Sequence, residues 1–139
     1  MILLDTNVLS ALMQPTPDFS VAAWLDRQSE REIWTSTVSL FEVEYGLNLM
    51  PVGKRRSHLE TVFATLLRGE LRGRIADLDP RAAAEAGKLM ATRQQQGRDY
   101  EPLDAMIAAI AVTRRASLAT RNVKHFDDLP ITVLNPWQA

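Results

Sequence analysis

A three-layer α/β/α domain with a mainly parallel sheet is the fold class this sequence predicts, and three observations carry the prediction. Short apolar runs that read as strands alternate with longer segments of helical periodicity, the pattern of right-handed crossovers that bury both faces of a sheet. The first run, Met1-Ile2-Leu3-Leu4, ends on Asp5, so a carboxylate is delivered to a strand end, where open α/β sheets keep their chemistry. No repeat, low-complexity tract or long linker interrupts the pattern, and residues 1–139 read as one domain. A chain of 139 residues with 46% hydrophobic composition buries about two thirds of its unfolded surface and needs no staples.

The elements follow in order. After the first strand, Val8, Leu9, Leu12 and Met13 share a helical face that Pro15-Thr16-Pro17 terminates. Asp18 suits the N-cap of a second helix over 19–28, with Val21, Trp24 and Leu25 as its apolar stripe. Ile33-Trp34-Thr35-Ser36 reads as a strand, and Ser39-Leu40-Phe41-Glu42 matches a capping box opening a helix toward Leu49. Leu59, Val62, Phe63, Leu66 and Leu67 give the clearest helical repeat, ending near Gly69. A strand is expected over 74–78, then a helix with Pro80 in its first turn and Gly97 past its last. Pro102 starts a helix through Ala116, and two late strands are expected over 117–120 and 131–134.

Composition excludes several classes of chemistry. With no cysteine there are no disulfides, thiolate zinc sites or cysteine nucleophiles, and two histidines cannot build a histidine cage. The net charge of −1 is uninformative about partners, since a basic face and an acidic pocket cancel in the sum. Basic clusters at Lys54-Arg55-Arg56, at Arg68, Arg72 and Arg74, and at Arg114-Arg115 suit solvated helix faces and together permit a polyanionic ligand. The start lacks the basic n-region of a signal peptide, and the apolar stretch 105–112 falls short of the roughly 18 residues a membrane span needs. A soluble, cytoplasmic protein without membrane attachment is expected.

Three acids stand apart from the rest because they lie inside apolar segments. Each has a structural use: Asp5 suits a helix cap, Glu42 would reach back to the Ser39 backbone in the capping box, and Asp104 lies at a helix start where free amides favour a carboxylate. Glu44 points to another helix face, while Asp99 and Glu101 fall in a loop expected to be solvated. Thr120 and Asn122 sit at the turn after a late strand, where turn chemistry alone accommodates them. Taken together, Asp5, Glu42, Asp104 and the Thr120/Asn122 turn fall at helix starts or strand ends, which a parallel sheet places on one rim. Such oxygen donors suit Mg²⁺ or Mn²⁺, and a hydrolase so equipped needs no serine or histidine nucleophile.

The ordered motifs resemble the PIN-domain family, and within it the VapC-type ribonuclease toxins of the FitB-like branch. The resemblance spans essentially the whole chain. It is carried by Leu4-Asp5-Thr6-Asn7, by the run from Ser36 to Glu42 before Tyr45-Gly46, by Leu103-Asp104-Ala105-Met106-Ile107-Ala108-Ala109, by the run from Ala119 to Phe126, and by Asn135-Pro136-Trp137. It implies a Mg²⁺- or Mn²⁺-dependent endoribonuclease, bacterial or archaeal, encoded with a small antitoxin and commonly dimeric. Asp5, Glu42 and Asp104 match the three family acids and would hold the metal. Asn122 stands where many relatives carry a fourth acid, and Thr6, Asn7 and Thr120 would support the site by hydrogen bonding. Arg121 is available to a substrate phosphate or to solvent, and His125 belongs to a segment expected to pack a short helix on the sheet.

Rival readings make different demands. A phosphatase with an aspartyl nucleophile wants a second aspartate where Asn7 stands, and a receiver domain wants adjacent acids after the first strand. A catalytically silent RNA- or partner-binding module on the same fold is the remaining alternative.

Overall fold

The computed structural model describes residues 1–139. Five strands form one parallel sheet in the order β3-β2-β1-β4-β5, where β1 is Ile2–Leu4, β2 Ile33–Ser36, β3 Ile75–Ala76, β4 Ser117–Ala119 and β5 Val133–Leu134. Leu3 of β1 lies opposite Trp34 on one side and Leu118 on the other. Chain order runs outward from β1 in one direction as far as β3 and then restarts at β4 on its other side. The sheet therefore has its topological switch between β1 and β4, where a crevice opens at the carboxyl ends of the strands.

Alternation along the strands sorts side chains between two cores. Leu4, Ile33 and Ala119 join Val8, Trp24, Phe63 and Leu66 on one face, beneath α1 (Thr6–Leu12), α2 (Phe19–Asp26), α3 (Thr37–Leu49) and α4 (Lys54–Arg68). Leu3 and Leu118 face the opposite core with Ile107, Ile110 and Phe126, covered by α5 (Pro80–Gln95) and α6 (Pro102–Thr113). Small residues such as Ala82 and Ala108 are buried where α5 and α6 pack closely on each other. The short 3₁₀ helix Val123–Phe126 anchors through the fully buried Phe126, the packing expected around His125.

Helix starts mostly follow the sequence. Asp18 caps α2 by accepting from the Ser20 and Val21 amides, and Asp79 caps α5 with Pro80 at the first turn. The start of α3 differs from the capping-box expectation. Ser36, not Ser39, is its N-cap, accepting from the Ser39 amide at 3.0 Å, so the helix begins at Thr37 and Glu42 lies a turn further in. Three hydroxyl residues, Ser36, Thr37 and Ser39, compete for the cap. The one directly at the strand end takes it.

Three boundaries are also shorter than expected. Strand β3 ends at Ala76 because the Leu78 amide donates to Thr37 Oγ1 and leaves the ladder. Strand β5 is confined to Val133–Leu134. Helix α6 stops at Thr113, just before Arg115 adopts a positive φ of 54°. The expected basic clusters are partly consumed by structure: Arg74 donates to the Ile33, Glu30 and Glu70 carbonyls, Arg72 pairs with Glu30, and Arg56 with Glu60.

Candidate active site

The crevice at the switch point collects most of the polar side chains singled out above. Asp5 follows β1 directly and is only 4% exposed, so its carboxylate is held inside the protein and must find partners there. Thr120, fully buried after β4, donates its hydroxyl to Asp5 Oδ2 at 2.7 Å. The Thr6 amide donates to Asp5 Oδ1 at 2.8 Å, the capping use expected of Asp5. Asn7 Nδ2 lies 3.4 Å from both Asp5 Oδ2 and Thr120 Oγ1, and its Oδ1 accepts from the Arg121 amide at 3.3 Å. The contacts that Asp5 and Asn7 make with Thr120 and Arg121 join segments far apart in the chain, and the parallel register of β1 and β4 makes them possible.

Glu42 reaches the same crevice from α3. Its Oε1 accepts from the Thr6 hydroxyl at 2.8 Å, and that hydroxyl also lies 2.9 Å from Ser39 Oγ. Thr6 therefore ties Asp5 through its backbone and Glu42 through its side chain. This contact overturns the expectation that Glu42 bonds back to Ser39. With the helix starting at Thr37, Glu42 faces α1 instead.

Asp104 lies at the start of α6, half-buried, with Oδ2 3.5 Å from His125 Nδ1. Glu101, expected to be solvated in the loop, is the N-cap of α6 and accepts from the Asp104 amide at 3.0 Å. Its charge raises the proton affinity of both Asp104 and Glu42. The capping pattern Glu101-Pro102-Leu103-Asp104 was visible in sequence, since Pro102 marks the first helical position. Asn122 is exposed at the turn, and its amide donates to Thr120 Oγ1 at 3.0 Å.

The three acids feel one another. Burial pushes Asp5 above the usual carboxylate range despite the bonds from Thr120 and Thr6, and Asp104 adds repulsion. Glu42 is raised by burial, opposed by the Thr6 bond and reinforced by Asp5, Asp104 and Glu101. Burial and Glu101 raise Asp104, partly offset by His125. No lysine or arginine forms an ion pair with any of the three.

This donor set fits a hard divalent cation: carboxylate and hydroxyl oxygens, no sulfur, and negative charges without a fixed basic partner. The acids are gathered without being closed into a cage, for no three acidic or histidine side chains surround a common point. The reason lies in the hydrogen bonds, which direct Asp5 toward Thr120 and Glu42 toward Thr6.

Residues 2–131 match the PIN domain family. The chain belongs to the PIN-domain family. Among its relatives, the VapC ribonuclease Y4jK of Sinorhizobium fredii is 37% identical, the match covering 99% of each chain. Toxin FitB of Neisseria gonorrhoeae is 31% identical over 99% of both. A solved structure described as FitAB bound to an IR36 DNA fragment superposes with a TM-score of 0.88 at 31% identity, covering 99% of this chain and 96% of the other. This PIN domain thus shares its fold with the FitAB structure and is similar along its length to proteins named as a ribonuclease and a toxin. No helix in it is long and apolar enough to cross a membrane.

Proposed function

We propose that this PIN domain is a divalent-metal-dependent endoribonuclease, the toxin of a toxin–antitoxin pair. The observation that carries the reading is that Asp5, Glu42 and Asp104 reach the switch-point crevice with no lysine or arginine paired to any of them. Full-length similarity to proteins named VapC ribonuclease and toxin FitB supports it.

Asp5, Glu42 and Asp104 would hold Mg²⁺ or Mn²⁺, which when bound polarises a phosphodiester and lowers the pKa of an attacking water. The chain's own residues do the positioning. Thr120 and the Thr6 amide fix both oxygens of Asp5, leaving it little freedom to turn from the crevice. Thr6 engages Glu42 Oε1, so Oε2 is free to accept a proton from the attacking water. Asn122 orients the turn through Thr120 and offers its side-chain amide to solvent or substrate. His125 holds Asp104 from the outer side.

A small cognate antitoxin, a cytoplasmic setting and a homodimer complete the proposal. Trp24 and Trp34 are taken up by the two cores, whereas Phe41 and Tyr45 stand stacked and more than half exposed on α3. That face supports pairing with a second copy. The open arrangement of the acids favours one other reading, a silent binding module.

Cleavage assays separate the two. The purified chain is expected to cut RNA in Mg²⁺ or Mn²⁺, to stop in EDTA, and to cut still when the ribose beside the scissile phosphate lacks its 2′-hydroxyl. Loss of cutting with that single 2′-deoxy change would mean attack by the RNA's own hydroxyl and would refute the water mechanism. No cutting under any condition would leave the silent module.

A further inference from the structure

A second feature adjoins the acids. An open cleft of about 370 Å³ runs from Asn7 along the outer side of α1, bounded by Ser10, Gln14 and Asp18 on one side and by Arg121 and Trp137 on the other. Its inner end is the Asn7 side chain, which also touches Asp5 and Thr120. The cleft therefore adjoins the crevice, with Asn7 shared between them.

Its walls have a definite chemistry. Trp137 lies in the 3₁₀ turn Pro136–Gln138, held by Asn135 Oδ1, which accepts from the Trp137 amide at 3.0 Å, and it packs partly on the core beneath α2. The Arg121 guanidinium sits 5.1 Å from the Trp137 ring centre. No carboxylate pairs with Arg121, and its only hydrogen bond is from its backbone. Together they make a flat cationic platform of the kind on which unpaired bases stack.

The opposite wall offers edges to read. Gln14 donates to the Ser10 carbonyl, which leaves its amide oxygen available, and Asp18 commits Oδ1 to two backbone amides, which leaves Oδ2. A phosphate is disfavoured here because Asp18 would repel it. A base carrying an amino group is favoured, since both free oxygens are acceptors. The volume sits near the lower end of small-ligand sites, roughly 300–1,000 Å³, which suits one nucleoside.

We propose that this cleft is a nucleobase subsite, taking the base of the nucleotide beside the scissile phosphate. Arg121 and Trp137 supply the stacking platform, and Gln14 and Asp18 read the edge. The inference rests on the ribonuclease reading. It makes Arg121 a substrate-binding residue and gives the Asn135-Pro136-Trp137 ending a function besides packing.

The test is equilibrium binding in EDTA, where cleavage does not interfere. Fluorescein-labelled hexaribonucleotides, each lacking the base at one position, are titrated with the full chain and read by anisotropy. Loss of the base at one position is expected to weaken binding about tenfold, the scale of one stacked base. Arg121→Ala and Gln14→Ala, both at exposed positions, are expected to weaken the intact oligomer severalfold and to flatten the position dependence. Trp137→Phe keeps the packing and is expected to fall between. Uniform binding across the abasic series, variants that bind as the wild type does, or no binding at all would each overturn the subsite. Cleavage measured in parallel keeps the two readings apart: a position-dependent base effect without cutting sinks the nuclease and leaves base binding in the cleft but not its place beside a scissile phosphate, whereas cutting without the base effect sinks the subsite and leaves the nuclease.

Discussion

Asp5→Asn is expected to cut RNA at least about a thousandfold more slowly than the wild-type chain, a loss of about 4 kcal/mol of transition-state stabilisation, while remaining folded. The amide oxygen can still accept from the Thr6 amide and the amide nitrogen can donate to Thr120 Oγ1, so the two short contacts of the buried side chain survive and only the 3.4 Å contacts of Asn7 Nδ2 are given up. What disappears is the negative charge. A structural cap alone would make this substitution nearly silent, so the assay distinguishes the two uses of Asp5. Asp104→Asn is expected to lose activity on the same scale.

The same variant carries a stability signature of opposite sign. Burial raises the folded-state proton affinity of Asp5 above its unfolded value. For a carboxyl shifted upward, the stabilising contribution is complete below the unfolded pKa and is lost as pH rises through the folded pKa. Above that, the ionised group opposes folding. Thermal melts in divalent-free buffer are therefore expected to show Asp5→Asn melting with the wild type in acid and above it at neutral pH. A variant that melts below the wild type at neutral pH would mean that the charge stabilises the fold, contrary to this account.

The second large effect lies away from the acids. Arg93 of α5 is 4% exposed, with its guanidinium 3.5 Å from the Tyr100 ring centre. It donates to Asp128 through Nε at 3.2 Å and through a second nitrogen, and to the His125 carbonyl at 2.6 Å. The first partner fixes the loop after the Val123–Phe126 turn, and the last fixes His125 beside Asp104. Burial opposes ionisation of Asp128, but bonding to Arg93 and the charges of Arg93 and Arg98 prevail and hold it below the usual carboxylate range. Burial meanwhile pushes Tyr100 up to about 12, so the phenol stays neutral beneath the guanidinium.

Arg93→Ala is expected to destabilise the protein by about 3 kcal/mol, at the lower end for a broken buried pair because Asp128 is reached by solvent. That corresponds to a fall in melting temperature of about 10 °C for a chain of this size. Arg93→Lys is expected to recover little, since an ammonium cannot span Asp128 and the His125 carbonyl as the planar fork does. Hydrogen exchange should quicken first around 123–128. Exchange that rises uniformly along the chain would argue against a local clamp.

Much of this was legible in the sequence, for reasons that can be named. Asp5 was readable because a run of apolar residues leading into one aspartate specifies both a buried strand and where it stops. Glu42 reaches the crevice from further inside α3 than its sequence suggests: a capping box at Ser39 fits the residues as well as a cap at Ser36, and only the strand end decides between them. Glu101 looked like loop, although Pro102 after it marked a helix start. Arg93 carried no signal at all. One arginine among the polar residues of an amphipathic helix gives no hint that it turns inward, because its partners, Tyr100, His125 and Asp128, come from later segments. The cleft beside Asn7 was equally hidden, for it joins α1 to the last residues of the chain.

The claim on which the mechanism rests is that Asp5, Glu42 and Asp104 act together on one divalent ion. Calorimetric titration of Mn²⁺ into the wild-type chain and into Asp5→Asn tests it without reference to any RNA. One saturable site in the wild type, absent from Asp5→Asn, is the predicted result; heats from the wild type no different from dilution would contradict it.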